Sequence, residues 1–302
     1  MNTHQLPILR IYISALAATL LMWGVFFILN SQLDGTCWDG MRVSKSALTT
    51  EYCELNRTEH FFHQRMNTYS NLAYFFLGMI VIGVANFDRK NLSASGLNVL
   101  QQFPPLSYFV GACLVYLAMG SAFFHASMTW VGQRVDMNGT YSVCLALIGI
   151  AVFRRYTATF SVWRNRWFLL SGLVVSVVIF IELHLRIKSI VLLPLLILII
   201  LVLTVLNYRS NKTGFRLSIA VLGALFMIVA DILRTLDVKK IGCDPTSFYQ
   251  GHTLWHFFTA MSVFLLYWFY RNERVTEYPT YTAPNPEFAD RKIRTEAESA
   301  RC

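Results

Sequence analysis

Three histidines of this chain have the spacing of a metal site. His252 and His256 are four residues apart, so on a helix they share one face and lie one turn apart. His125 ends another apolar run, four residues after Ser121. Three protein ligands plus a water make up a catalytic zinc site, whereas structural zinc sites use four protein ligands. The histidines therefore predict a catalytic zinc site, provided that the fold brings them together.

Asp136 follows His125 by eleven residues and is the nearest carboxylate after it. A carboxylate here could hydrogen-bond a ligand imidazole, orient a zinc-bound water or act as a general acid and base. Its alternative is the N-cap of the next helix, a position that aspartate fills well. The sequence leaves both alternatives open.

The composition is that of a membrane protein. The chain has 302 residues, of which 55% are hydrophobic and only 14% are charged. Soluble domains carry about 25% charged residues. The net charge of +9 comes mainly from Lys and Arg in short loops between apolar runs, and no basic helix face is visible. We therefore predict a membrane setting and no nucleic-acid partner.

Apolar runs of about 17–20 residues predict eight transmembrane helices in an all-α fold. The first run is not followed by a small-x-small cleavage site, so we interpret it as a membrane anchor and not as a signal peptide. The fourth run is short, and its start is obscured by polar residues. The predicted spans are residues 11–30, 67–86, 107–127, 139–153, 167–183, 189–207, 215–233 and 252–270.

The distribution of arginine predicts the orientation in the membrane. Residues 154–166 and 209–216 are rich in Arg and Lys, as is the tail after span eight, whereas the loop 31–66 is acidic. By the positive-inside rule both termini are cytoplasmic, which puts the three histidines near the outer, periplasmic or lumenal side. Cys37, Cys53 and Cys243 fall on that side, where Cys53 could form a disulfide with either of the other two.

Three separated blocks of residues resemble a known family. The blocks are Glu51-Tyr52-Cys53-Glu54-Leu55-Asn56 with Asn67-Thr68-Tyr69-Ser70-Asn71-Leu72; Gly120-Ser121-x-x-x-His125 with Asp136; and His252-x-x-Trp255-His256. Together, over about residues 50 to 270, they resemble the alkaline ceramidase family, part of a wider group of seven-helix membrane hydrolases that includes the adiponectin receptors. The resemblance implies a seven-helix hydrolase core, so the first span is an additional N-terminal helix.

The resemblance also implies two metal sites. The family's zinc histidines correspond to His125, His252 and His256, and the serine and aspartate beside its zinc to Ser121 and Asp136. A calcium site, built from oxygen ligands, is implied in the acidic segment. Its opening glutamate is replaced here by a glutamine whose amide oxygen could still coordinate. The implied calcium ligands are Glu51, the Tyr52 carbonyl, Glu54, Asn56 and Gln64.

From these observations we expect four regions: residues 1–30 with the extra helix, an outer loop at 31–66, the hydrolase core at 67–270, and a polar, disordered cytoplasmic tail at 271–302. We expect a zinc-dependent amidohydrolase that cleaves ceramide or a related N-acyl lipid, by zinc-activated water, to a fatty acid and a long-chain amine. Ser121 as a covalent nucleophile is a second possibility. A receptor-like or scaffolding protein with a structural zinc, or a haem or copper redox protein, are the alternatives to a hydrolase.

Overall fold

The fold is all-α. The computed structural model describes residues 6–92, 96–187 and 189–275, and none of these residues forms a β-strand. The predicted cytoplasmic tail therefore lies almost entirely outside the described residues. The helices are α1 (Ile8–Gln32), α2 (Lys45–Leu48), α3 (Arg65–Ser70), α4 (Leu72–Lys90), α5 (Val99–Gln102), α6 (Pro104–Ser127), α7 (Trp130–Arg155), α8 (Trp163–Arg186), α9 (Ser189–Ser210), α10 (Leu217–Val238) and α11 (Gly251–Arg271).

Seven of the described helical segments are long and apolar enough to cross a membrane, if α3 and α4 are counted as one. This confirms the predicted all-α membrane fold. The eighth predicted span, α11, has 21 residues but is not among the seven. It packs along α10 and also contacts α3, α4 and α7. Its crossing of the membrane is therefore inferred from its length and its neighbours.

The start of the fourth predicted span was wrong. The sequence predicted a start at residue 139, but α7 begins at Trp130. The side chain of Thr129 accepts a hydrogen bond from the Gly132 backbone N–H at 3.1 Å, so Thr129 is the N-cap. Asp136 lies within the helix, which rules out its alternative role as the N-cap.

Close contact between helices positions α6 beside α4 and α7. A Cβ atom added at Gly78 would lie 3.0 Å from the carbonyl oxygen of Gly111, so these glycines let α4 and α6 approach closely. A Cβ atom at Gly120 would lie 2.9 Å from the Val135 side chain. The second contact brings Ser121 of α6 next to Asp136 of α7.

Two buried ion pairs fix the C-terminal end of α11, away from its histidines. Arg271 binds the Asp88 carboxylate of α4, with contacts of 2.5 and 2.8 Å. Just beyond α11, Glu273 pairs with Arg154 of α7 at 2.5 Å. Removing one partner of a buried pair typically costs about 3–5 kcal/mol, because the other charge is left uncompensated. These contacts hold α11 in register with α4 and α7.

A disulfide fixes the other end of the bundle. Cys53 and Cys243 are bonded, with Cα atoms 5.7 Å apart, and Cys37 is free and exposed. Of the two pairings that the sequence left open, Cys53 with Cys243 is confirmed. The bond ties the loop before α3 to the loop between α10 and α11.

Candidate metal centre

Three buried imidazoles converge inside the bundle. His125 comes from the last turns of α6, and His252 and His256 from the first two turns of α11. Their potential ligand nitrogens all lie within 4.8 Å of one another. The Nε2 atoms of His125 and His252 are 3.2 Å apart. No other group of three or more metal-capable His, Cys, Asp or Glu side chains occurs within the described residues.

Hydrogen bonds at Nδ1 orient the rings of His125 and His256. The Nδ1 atom of His125 lies 2.7 Å from the amide oxygen of Gln64, which can only accept. The Ser70 hydroxyl donates to the carbonyl oxygen of Asn67, so it accepts from Nδ1 of His256 at 2.7 Å. In both histidines Nδ1 carries the proton, and Nε2 keeps its lone pair.

His252 is held by ring contacts. Its ring stacks on Trp255, with centroids 5.1 Å apart, and lies 4.1 Å from the ring of Tyr52. Its Nδ1 atom is buried without a hydrogen-bond partner among the described residues. The ring nitrogen of a histidine that does not bind the metal is normally hydrogen-bonded to a neighbour. Because no such hydrogen bond fixes His252, either of its ring nitrogens is open to an ion. The three histidines fit a metal ion that prefers neutral nitrogen ligands, and zinc is such an ion.

Ser121 and Asp136 form a separate pair beside the histidines. The Ser121 side chain lies close enough to the Asp136 carboxylate to interact with it. Ser121 is buried and lies one helical turn before His125 on α6, and Asp136 is half-buried in the second turn of α7. Asp136 does not belong to the group of ligand atoms within 4.8 Å. The structure thus places Ser121 and Asp136 near each other and beside the three histidines.

Asp237, which no sequence pattern selected, holds the start of α11. One of its carboxylate oxygens accepts the backbone N–H of His252 at 3.1 Å, and the other accepts that of Cys53 at 3.0 Å. The helix has no side-chain cap of its own at Gln250. The backbone N–H groups in the first turn of any helix need acceptors. The sequence has no side chain at position 250 that commonly caps a helix, which indicated that an acceptor from elsewhere in the chain was needed.

Gln64, Asn56 and Glu54, three of the residues predicted for calcium, are hydrogen-bonded within the protein. The amide nitrogen of Gln64 donates to the Asn56 side-chain oxygen at 2.7 Å, so a donor points where a calcium ligand was expected. The two carboxylate oxygens of Glu54 accept the backbone N–H groups of Met66 and Asn67 at 2.6 and 2.8 Å. Burial raises the pKa of Glu54 to about 7, although these two hydrogen bonds lower it.

Glu51 and the Tyr52 ring have contacts of their own. The Glu51 carboxylate accepts from the Ser46 hydroxyl at 2.5 Å and pairs with Arg234 at 3.4 Å. The Tyr52 ring faces His252. Calcium binding by Glu51, the Tyr52 carbonyl, Glu54, Asn56 and Gln64 stays a prediction of the resemblance.

A comparison with protein families identifies the chain's relatives. A sequence model described as Ceramidase matches residues 44–283, which is most of the chain. The match includes every residue of the candidate site and leaves out α1. No curated protein matches the chain.

Replacing Asp237 with Asn tests how α11 is held. The asparagine side chain has a single oxygen, which can accept from only one of the two positions. Its amide NH2 group would then face the N–H group of His252 or of Cys53, which is left without an acceptor. We expect a loss of about 1.5–3 kcal/mol in the free energy of unfolding, together with weaker metal binding. Melting in detergent and metal content report the two effects.

Asp244→Asn is the matched control, since the exposed Asp244 accepts from the Thr246 backbone N–H and asparagine can do the same. If Asp237→Asn melts and binds metal as the unchanged protein does, the assignment of Asp237 is wrong.

Proposed function

This chain belongs to the ceramidase family, and from that premise we propose that it hydrolyses the amide bond of ceramide, or of a related N-acyl lipid, with a zinc ion bound by His125, His252 and His256. Membership of the family implies hydrolysis of ceramide in a membrane. The observation that carries the zinc proposal is the convergence of three buried imidazoles, two of them with Nδ1 already bonded.

A bound zinc ion supplies Lewis-acid chemistry and lowers the pKa of a coordinated water to about 7. His125 and His256 would contribute Nε2, because their Nδ1 atoms donate to Gln64 and Ser70. Neutral imidazole is the form that binds metal, and a buried setting without a nearby carboxylate in the ligand group favours it. Hydrogen bonds thus orient two of the three proposed ligands before an ion arrives.

Asp136 is the residue that we propose moves protons. Its carboxylate takes a proton from the attacking water as the water oxygen bonds to the amide carbon. It then returns that proton to the nitrogen as the C–N bond breaks, giving a carboxylic acid and an amine. The Ser121 hydroxyl lies close enough to the carboxylate to interact with it in the resting protein. Once Asp136 is protonated, that hydroxyl is free to donate to the negative oxygen that develops on the amide carbon.

An apolar cavity of about 280 Å³ supports a lipid substrate. Its walls come mainly from α7, α9, α10 and α11, and Tyr74 and Trp255 lie at its side toward the histidines. The Trp255 ring stacks on His252, and the Tyr74 ring lies 6.0 Å from that of His256. A hydrocarbon chain in this cavity would place its polar end beside the three imidazoles.

The orientation predicted from the arginines is part of the proposal: both termini are cytoplasmic, and the histidines lie toward the outer side. The disulfide between Cys53 and Cys243 supports it, because disulfides persist in oxidising compartments such as the periplasm or a lumen.

Replacing each of the three histidines with Ala tests the ligand set. We expect every one of His125→Ala, His252→Ala and His256→Ala to lose bound zinc and ceramide hydrolysis together, because two remaining ligands hold zinc poorly. Zinc is measured by mass spectrometry, and hydrolysis by the fatty acid released. His60→Ala, at an exposed histidine of the outer loop, should retain both. A single site variant with full turnover would disprove the three-histidine site.

Asp136→Asn separates a hydrolase from a protein with a structural zinc. Asparagine keeps the shape but cannot carry the proton, so turnover should fall about 10²–10⁴-fold while zinc content and melting stay unchanged. Asp39→Asn, at an exposed aspartate of the outer loop, is the control. Unreduced turnover of Asp136→Asn would contradict the proposed proton path, and equal, negligible turnover of every variant and the unchanged protein would favour a structural zinc.

Cys37 reports the orientation, because it is free and exposed on the histidine side of the bundle. In a Cys302→Ser background, a membrane-impermeant maleimide should label Cys37 in sealed vesicles that keep the cytoplasmic face inside. Adding Cys37→Ser should abolish the label. Labelling that requires permeabilisation would reverse the proposed orientation.

A further inference from the structure

Gln64 connects the outer loop to a metal-ligand histidine. It is only 1% exposed. Its backbone N–H donates to the carbonyl oxygen of His125 at 3.0 Å, and its side-chain oxygen lies 2.7 Å from Nδ1 of the same residue. The side-chain oxygen also accepts from the Asn67 amide at 3.1 Å, and the side-chain nitrogen donates to the Asn56 oxygen at 2.7 Å. Both ends of the amide are therefore in use.

The chemistry of an amide decides which way this side chain points. An amide has one oxygen with two lone pairs, and here these accept from His125 and Asn67. The nitrogen must then face Asn56. If the amide were turned to offer its oxygen to a cation at Asn56, an N–H group would face Nδ1 of His125. Nδ1 would then need the lone pair, and the proton would move to Nε2, which could no longer bind a metal.

A carboxylate at position 64 would behave differently. One of its oxygens could still accept from His125, but the second would face the Asn56 oxygen. Two acceptors in contact need a cation or a proton between them, and carboxylate and amide oxygens are ligands that calcium takes. In this chain the side-chain N–H group of Gln64 points at the Asn56 oxygen, where a carboxylate would need a cation or a proton.

We propose that Gln64 joins Asn56 to His125 through its amide and so holds the outer loop and the His125 ring without a calcium ion. Gln64 is thus a positioning residue that acts through His125. The positioning role rests on the proposed function, because it takes His125 to be a metal ligand. Independence from calcium does not depend on any activity.

The test is calcium titration of the purified full-length protein, with thermal melting as the readout at a fixed free zinc concentration. The unchanged protein should melt at the same temperature with and without calcium. Gln64→Glu should melt lower without calcium and rise on the order of 5 °C with saturating calcium, because a ligand that binds only the folded state stabilises it. Magnesium should have a smaller effect than calcium.

Gln101→Glu is the matched control. It makes the same change in the capping box of α5, where glutamate serves as well as glutamine, and its melting should not respond to calcium. Gln64→Ala should bind zinc at least tenfold more weakly and should also not respond to calcium.

The outcomes separate cleanly. A saturable rise in the melting temperature of the unchanged protein with calcium would overturn the proposal, whatever Gln64→Glu does, so the test survives a variant that fails to fold. A Gln64→Glu protein as stable as the unchanged one and indifferent to calcium would also overturn it. Absence of hydrolysis in the unchanged protein and in every variant, with the melting pattern as expected, would count against the proposed function and not against this inference.

Discussion

The structure depends on holding three neutral imidazoles together where hydrocarbon would otherwise be. A polar group buried without a partner costs free energy, so most buried polar groups are hydrogen-bonded. His125 is held by Gln64, and His256 by Ser70, which in turn donates to Asn67. The lone pairs that remain point toward one another. In the proposed function a zinc ion would bind between them.

The rest of the bundle fixes the distance between α6 and α11, which carry these rings. The ion pairs of Arg271 and Glu273 hold the far end of α11, and the disulfide and Asp237 hold its near end. On the other side, the glycine contacts of α6 set its distance from α4 and α7. Together these contacts set the positions of the helix segments from which the histidines converge.

Helix periodicity and residue type were enough to predict the all-α membrane fold and to select the three histidines. Spans are long apolar runs, and two histidines four residues apart can only share a face. The predicted start of α7 was wrong because the segment from Trp130 to Asn138 mixes polar and apolar residues. Hydropathy therefore did not reveal the first turns of the helix that Thr129 caps.

The residues that hold the histidines in place could not be predicted from local sequence pattern. Asp237 acts on His252 across the loop between α10 and α11, and Gln64 acts on His125 from 61 residues away in the chain. Neither contact has a spacing rule. Position 64 was selected as an oxygen ligand for calcium, yet its amide nitrogen is what faces Asn56. Which end of an amide is used follows from its neighbours, and these are known only once the chain is folded.

Zinc K-edge X-ray absorption of the purified full-length protein tests the central claim most directly. The account predicts about one zinc per chain, bound by three imidazole nitrogens at about 2.0–2.1 Å with no sulfur ligand. A protein that carries no zinc, or a zinc whose spectrum lacks imidazole scattering or contains a sulfur ligand, would contradict it.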